Sequence, residues 1–275
     1  MSDVLTERTP RVAAARKLLR RAARLEAGRF LVEGVRPVHE ALTWAEETPG
    51  SDTHRRVHDL FLTDAVADRD PTLEDRARSL GIRTARVSEK AAAGLSDTVT
   101  PQGVAAVCST VTVDLDAALG ETPRLVTVLV GVADPGNAGT VIRTSDAAGA
   151  DAVVLAGDAV DPHNGKCVRS TMGSLFHLPL AASRDVDAVV DALRGRGLTL
   201  LAAAGDGETV LDVTADTLLA APSAWLLGSE AHGLDDRTAG LADHRVRVPI
   251  HGRAESLNLA TAAAVCLYAS ARAQH

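Results

Sequence analysis

From Leu125 onward, short apolar runs alternate with helix-patterned stretches, and this alternation is the strongest constraint on what the chain can fold into. Residues 125–132, 152–156, 198–203, 224–227 and 245–248 have the length and apolarity of buried strands, whereas 140–148, 186–194 and 257–272 carry helical patterns. The alternation predicts one parallel sheet with helices on both faces. In such a sheet ligands collect outside the carboxyl ends of the strands. The loops that follow the apolar runs are therefore the places to search for chemistry.

Three of those loops stand out. Asp134-Pro135-Gly136-Asn137-Ala138-Gly139 runs into Thr140-Val141-Ile142-Arg143; Gly228-Ser229-Glu230-Ala231-His232-Gly233-Leu234 follows a later strand; and Val248 to Asn258 ends in Ser256-Leu257-Asn258 at the start of the last helix. The first is glycine-rich enough to let backbone N–H groups approach an anion, yet it lacks the Lys-Ser/Thr ending of a P-loop and the Gly-x-Gly-x-x-Gly of a dinucleotide fold. Ser256 reads as the N-cap of the last helix. His163, His232 and His251 have no metal-ligand spacing, so no metal is expected.

The order and spacing of these loops resemble the SpoU (TrmH) family of RNA ribose 2'-O-methyltransferases. Asn137 and Arg143 match its first motif, Gly228 to Leu234 its second, and Pro249 with Ser256-Leu257-Asn258 its third. The likeness runs from about Leu125 to the C-terminus and, more faintly, through the N-terminal part. It implies a C-terminal α/β trefoil-knot (SPOUT) domain with a parallel sheet, S-adenosylmethionine as methyl donor, and a homodimer formed through that domain. By matching positions, it makes Arg143, Asn137, Glu230, Ser256 and Asn258 the catalytic set, and Gly228, Val248, Leu257 and, at a strand end, Ala203 the donor contacts. Arg143 would stabilise the ribose alkoxide, because a guanidinium stays protonated; Asn137 would fix Arg143 or the ribose, and Glu230 would orient the arginine bidentately. Ala231 stands where the family often has Gly, a departure that matters only if the position needs a positive φ.

The N-terminal part reads as a smaller α/β domain, with a helix over 12–27, a strand from Arg29 turning at Gly34, a helix over 38–46, strands over 57–62 and 82–87 around a helical stretch at 73–80, and a last strand near 104–108. Gly120 and Pro123 place a linker at 111–123, dividing a domain of 1–110 from one of 124–275. In the family the first domain resembles a ribosomal-protein-like RNA-binding module, most recognisably at Gly28-Arg29-Phe30-Leu31-Val32-Glu33-Gly34.

Charge supports an RNA partner despite a net −7: the segment from Arg8 to Arg29 carries +7, leaving −14 on the rest. Arg16, Arg20 and Arg24 recur at i+4 as one basic stripe; Arg8, Arg11, Arg16, Lys17, Arg20 and Arg36 form the expected RNA-binding surface, and Lys166 and Arg169 join them from a stretch that the family places near the substrate. Aromatic residues make up only 2% of the chain, which argues against base-stacking platforms and for recognition by shape and charge. Cys108, Cys167 and Cys266 are odd in number and widely spaced, pointing to free thiols in a reducing cytoplasm.

The resemblance thus predicts a cytoplasmic methyltransferase acting on large-subunit (23S) ribosomal RNA. A transfer-RNA methyltransferase and a non-catalytic RNA-binding protein retaining the fold are the alternatives. A nucleotide enzyme acting on small molecules would have no use for the Arg8–Arg29 patch.

Overall fold

The computed structural model describes residues 4–47, 56–212 and 216–275. The chain divides into two compact units, Met1–Thr110 with His163–His177, and Val111–Pro162 with Leu178–His275.

Among the described residues the first unit opens with α1 (Pro10–Lys17), α2 (Arg21–Ala27), β1 (Arg29–Glu33), α3 (Val35–Glu46) and β2 (Val57–Leu62), then α4 (Asp64–Arg69), α5 (Thr72–Ser79), β3 (Arg83–Arg86), α6 (Glu89–Ala93) and β4 (Val104–Ser109). Its sheet has the order β1-β4-β2-β3, with β4 antiparallel to both neighbours and β2 parallel to β3. Phe61, Leu31, Ala105 and Val107 of the sheet bury one core against Val12, Ala15 and Leu18.

The single helix expected over 12–27 is broken. Leu18 is buried and the chain turns at Leu18–Arg20, which leaves the Leu18 and Leu19 carbonyls outside the helix ladder. The Arg24 guanidinium donates to both, at 3.0 Å each, and is itself buried. Arg24 therefore caps the break instead of extending a basic stripe.

The second unit contains β5 (Thr112–Val113), α7 (Leu115–Leu119), β6 (Leu125–Val130), α8 (Pro135–Ala147) and β7 (Ala152–Ala156); the chain then contributes α9 (Gly165–Thr171) to the first unit. It continues with β8 (Leu180–Ser183), α10 (Val186–Arg194), β9 (Thr199–Ala203), β10 (Thr209–Val210), α11 (Asp216–Leu219), β11 (Ser223–Leu227), α12 (Asp236–Ala239), β12 (His244–Arg247) and α13 (Leu259–Gln274). The eight-stranded sheet has the order β10-β12-β9-β11-β6-β7-β8-β5, and each of its pairings is parallel.

Helices cover both faces, as the alternation predicted. Val126, Val128, Ala224 and Leu226 point to one face and pack with Ala118 and Leu119 of α7 and Val189, Val190 and Leu193 of α10. Their neighbours point the other way: Thr127 bonds Ser145 of α8 at 2.8 Å, and Trp225 Nε1 donates to Ser270 of α13 at 2.9 Å. These polar pairs are wholly buried and each satisfies its own groups. The stretch expected to be a linker holds β5 and α7, and β5 is too short for a periodicity reading to detect. No helix among the described residues is long and apolar enough to cross a membrane.

Candidate active site

The first motif is more helical than its glycines suggested. Asp134 is an N-cap whose side chain accepts from the Asn137 amide at 2.8 Å, and Pro135 occupies the first helical position, so α8 begins at Pro135 and the expected loop becomes its first turn. Asn137 then lies one turn in, and Arg143 two turns in on an exposed face.

The second motif is folded tightly on itself. Ser229 and Gly233 exchange backbone hydrogen bonds at 3.0 and 2.9 Å, and a Cβ on Gly228 would lie 2.1 Å from the Gly233 carbonyl carbon, so only glycine fits at 228. Ala231 does not take a positive φ, so its departure from the family pattern costs nothing in backbone strain.

The loop presents Glu230 to the start of α8. Its carboxylate accepts from the Ala133 amide at 3.3 Å, the Asp134 amide at 3.2 Å and Asn137 Nδ2 at 3.1 Å. Partial burial pushes this carboxyl up, but the hydrogen bonds from its own amide, Asn137, Ala133 and Asp134 outweigh that and hold it below the usual glutamate range. An anion at a helix N-terminus is also favoured by the helix dipole. The expectation that Glu230 orients Arg143 is thereby corrected, because the carboxylate is committed to amide groups on α8's first turn.

Asn258 brings in the third motif. It, and not Ser256, is the N-cap of α13: Oδ1 accepts from the amides of Ala260 at 2.9 Å and Thr261 at 3.4 Å, while Nδ2 donates to Asn137 Oδ1 at 3.1 Å. The chain of bonds fixes every amide orientation. A carboxylate only accepts, so Asn137 turns its Nδ2 to Glu230 and its Oδ1 to Asn258, whose own oxygen faces the helix. The Arg143 side chain makes no hydrogen bond or ion pair among the described residues, and Ser256 is exposed.

Beside this cluster lies a cavity of about 320 Å³, within the size range of small-molecule sites. Ala203, Gly228, Val248 and Leu257, the four expected donor contacts, line it, together with Glu230 and Ser256. Its walls are largely aliphatic, with Leu227, Val246, Ile250, Leu259 and Ala262 added, and backbone groups of the glycine loops supply polar edges. Ala204 and Gly205 also border it and were missed, although they directly follow β9 and the sheet-edge rule would have flagged them.

The expected RNA contacts are less uniform. Arg8, Arg16, Lys17, Arg20 and Arg36 are exposed, whereas Arg11 is tied to Asp59 at 2.7 Å and to the Arg83 carbonyl. The 161–170 stretch is not an open loop: Asn164 N-caps α9, on which Lys166 is exposed and Arg169 binds Glu33 at 3.2 Å and also Asp97. Cys108, Cys167 and Cys266 are buried, and burial pushes the Cys266 thiol up to about 12, so it is not a nucleophile. His163 is buried against Phe30, and no group of three His, Cys, Asp or Glu side chains is arranged for a metal among the described residues.

Comparison with known proteins places these features in context. Residues 124–268 match the SpoU rRNA Methylase family and residues 9–106 the MRM3-like substrate binding domain. The chain is 34% identical to the 23S rRNA (guanosine(2553)-2'-O)-methyltransferase RlmP of Bacillus subtilis, over 98% of each chain. It is 32% identical to the 23S rRNA (uridine(2479)-2'-O)-methyltransferase of Streptomyces viridochromogenes, over 97% of this chain and 94% of that one. Among solved structures, the AdoMet-bound rRNA methyltransferase from Sinorhizobium meliloti superposes with a TM-score of 0.81 at 29% identity, covering 98% and 97% of the two chains. The AdoMet complex of AviRb from Streptomyces viridochromogenes gives 0.80 at 29% identity, covering 96% and 98%.

Proposed function

The chain belongs to the SpoU rRNA methylase family, and from that premise we propose that it methylates a ribose 2'-hydroxyl of large-subunit (23S) ribosomal RNA, with S-adenosylmethionine as donor. The observation that carries the reading is the hydrogen-bonded line Glu230–Asn137–Asn258, which joins residues from three separated motifs beside an aliphatic cavity. A protein that only binds RNA has no need of that junction.

The cavity suits the donor. Ala203, Val248 and Leu257 offer apolar walls for an adenosine, and the Gly228 loop brings backbone groups close because it has no side chain to interpose. Bound there, S-adenosylmethionine supplies a methyl group on a cationic sulfur. The chain's part is to orient the ribose and to bear the negative charge that develops on its oxygen. Arg143, whose side chain is exposed and uncommitted among the described residues, is the stabilising cation. Asn137, held at both ends of its amide, is a positioning residue, and Ser256 offers a hydroxyl at the cavity wall.

The N-terminal unit, with its substrate-binding match, is the RNA-holding part, and Arg8, Arg16, Lys17, Arg20 and Arg36 are its exposed cations. A homodimer through the second unit is part of the same proposal. Tyr268, Val265 and Ile250 are 53%, 41% and 38% exposed, and the first two border an apolar recess with Leu211 and Pro249, the kind of surface that a second copy covers. The trefoil crossing and a cytoplasmic location belong to this family reading as well.

The test is titration calorimetry with S-adenosylmethionine, followed by methyl transfer from labelled donor to 23S ribosomal RNA. Label recovered in ribose supports the enzyme; absence of donor binding overturns the cofactor assignment.

A further inference from the structure

A second cavity, of about 690 Å³, lies wholly within the N-terminal unit and is lined by the start of α3, the loop 98–102 and the end of α9. Its chemistry differs from that of a phosphate site. Glu33 and Glu40 both face it, and either carboxylate would repel an anion. Arg169, which could have offset them, is spent: it binds Glu33 and Asp97, while Ser96 and Thr98 complete the Glu33 carboxylate at 2.7 and 3.2 Å. The Glu33 side is a hydrogen-bonded floor with its one cation already engaged.

The rest of the lining is different. Glu40 has the Arg36 guanidinium 3.9 Å away and His177 at 3.3 Å, with Arg76 as a further cation near it, and Arg36 is 69% exposed. Gln102 is anchored by its Oε1, which accepts from the Val35 amide at 3.1 Å, so its Nε2 is oriented yet donates to nothing among the described residues. Thr100 is part of the same lining. A carboxylate, a fixed amide donor and a guanidinium thus line one cavity.

The rim carries the second observation. Met172, at φ +52°, is the one non-glycine residue with positive φ among those described, and it is 38% exposed. A bulky side chain in that region is strained, and such strain concentrates at binding sites. Gly173, at φ +106°, follows, and a Cβ there would lie 2.3 Å from Glu40 Cγ, so this turn also sets where Glu40 stands. Met172 thus brings an apolar side chain to a polar recess.

We propose that this cavity takes one unpaired guanine of the substrate RNA, a reading that rests on RNA being the substrate. Guanine alone among the bases offers two adjacent N–H groups, N1 and N2, to a carboxylate, here Glu40, while its O6 and N7 accept from Gln102 and Arg36. Single-stranded RNA is read in this way, through splayed bases held by their edges. In a chain so poor in aromatics, Met172 supplies the adaptable apolar contact to the base face that a ring would otherwise give.

The experiment uses the full-length protein and 23S ribosomal RNA transcripts containing either 6-thioguanosine or 4-thiouridine, irradiated and mapped by peptide mass spectrometry. Crosslinks from thioguanosine to peptides holding Thr98–Gln102 or Met172, in excess over thiouridine, are the expected result. Crosslinks confined to other segments, or equal from both nucleotides, overturn the assignment. Glu40→Gln should abolish the guanosine preference. Met172→Gly, which removes strain and so keeps the fold, should weaken RNA binding about threefold to tenfold with donor affinity unchanged; unaltered RNA affinity overturns the rim's role. Donor titration and methyl transfer on the same preparation separate the two readings. Transfer without cavity crosslinks removes the guanine site alone, whereas crosslinks without donor binding remove the methyltransferase and leave the site standing.

Discussion

Both units pair arginines with acids of their own, Arg196 with Asp116 and Arg245 with Asp206 in the eight-stranded one, and they differ in what their motif side chains do. In the eight-stranded unit the motif side chains bond to one another across separated segments, Glu230 to Asn137 to Asn258, and leave Arg143 free of partners among the described residues. In the N-terminal unit several arginines are matched inside the unit: Arg11 and Arg83 share Asp59, Arg86 binds Glu74 at 2.8 Å, Arg76 binds Glu46 at 2.8 Å, and Arg169 binds Glu33. A count of cations therefore overstates the RNA-facing charge of the first unit, whereas the second unit's chemistry rests on one arginine. What distinguishes a contact residue from a structural one is the partner it already has.

The largest test of that contrast is Arg143→Ala. Loss of the uncommitted cation should lower methyl transfer by about 10²–10³-fold, the range for removing one charge-stabilising donor, with calorimetric donor affinity unchanged. Retained turnover would take Arg143 out of the mechanism and leave the second unit without its distinguishing residue. Gly228→Ala probes the same unit from the cofactor side. The added methyl meets the Gly233 backbone, which has no rotamer to yield, so donor affinity should fall about 10- to 100-fold by overpacking. Affinity within twofold of wild type would show that the loop shifts freely.

The N-terminal unit sharpens the comparison through two arginines of one predicted stripe. Arg24→Ala removes a buried guanidinium that satisfies two carbonyls and should cost about 1–3 kcal/mol in denaturant unfolding, with the salt dependence of RNA binding preserved. Arg20→Ala, at an exposed position four residues earlier, should leave stability alone and reduce the slope of log affinity against log salt by about 1. If both variants change the same quantity, the distinction between matched and exposed cations fails.

Much of the second unit was legible because the signal was long and repeated. Residues 186–194 were read as a helix and α10 spans Val186–Arg194, since its apolar positions recur at helical spacing. Residues 152–156 were likewise a strand. Short elements escaped: β5 and β10 have two residues each, too few for any period, and exist only because a neighbouring strand pairs with them. Helix starts were misjudged where two capping residues competed, Ser256 against Asn258, because both suit an N-cap and only the tertiary bond to Asn137 decides. The fates of Arg24 and Arg169 depended on partners far along the chain or on a helix break, and no local pattern encodes either. The family resemblance put Glu230 in the second motif and gave it Arg143 as partner; its bonds to α8's first turn required three-dimensional placement.

The smallest expected effect concerns Glu230 and acid. Its carboxyl sits below the ordinary glutamate value in the folded chain, because amide donors outweigh the cost of partial burial. A lowered folded value means that the ionised group stabilises the fold above the ordinary value of about 4.3. That contribution disappears as pH falls through the folded value. Glu230→Gln has no such titration, and its amide must aim one N–H at the donors of Ala133 and Asp134. Wild type should therefore melt higher than the variant at neutral pH, by about 1 °C after allowance for solvent screening, and the gap should close below about pH 4. Differential scanning across that range checks the sign. A gap that widens in acid would mean that the carboxyl is raised, that burial outweighs the hydrogen bonds, and that the second unit's polar line is held under strain instead of being satisfied.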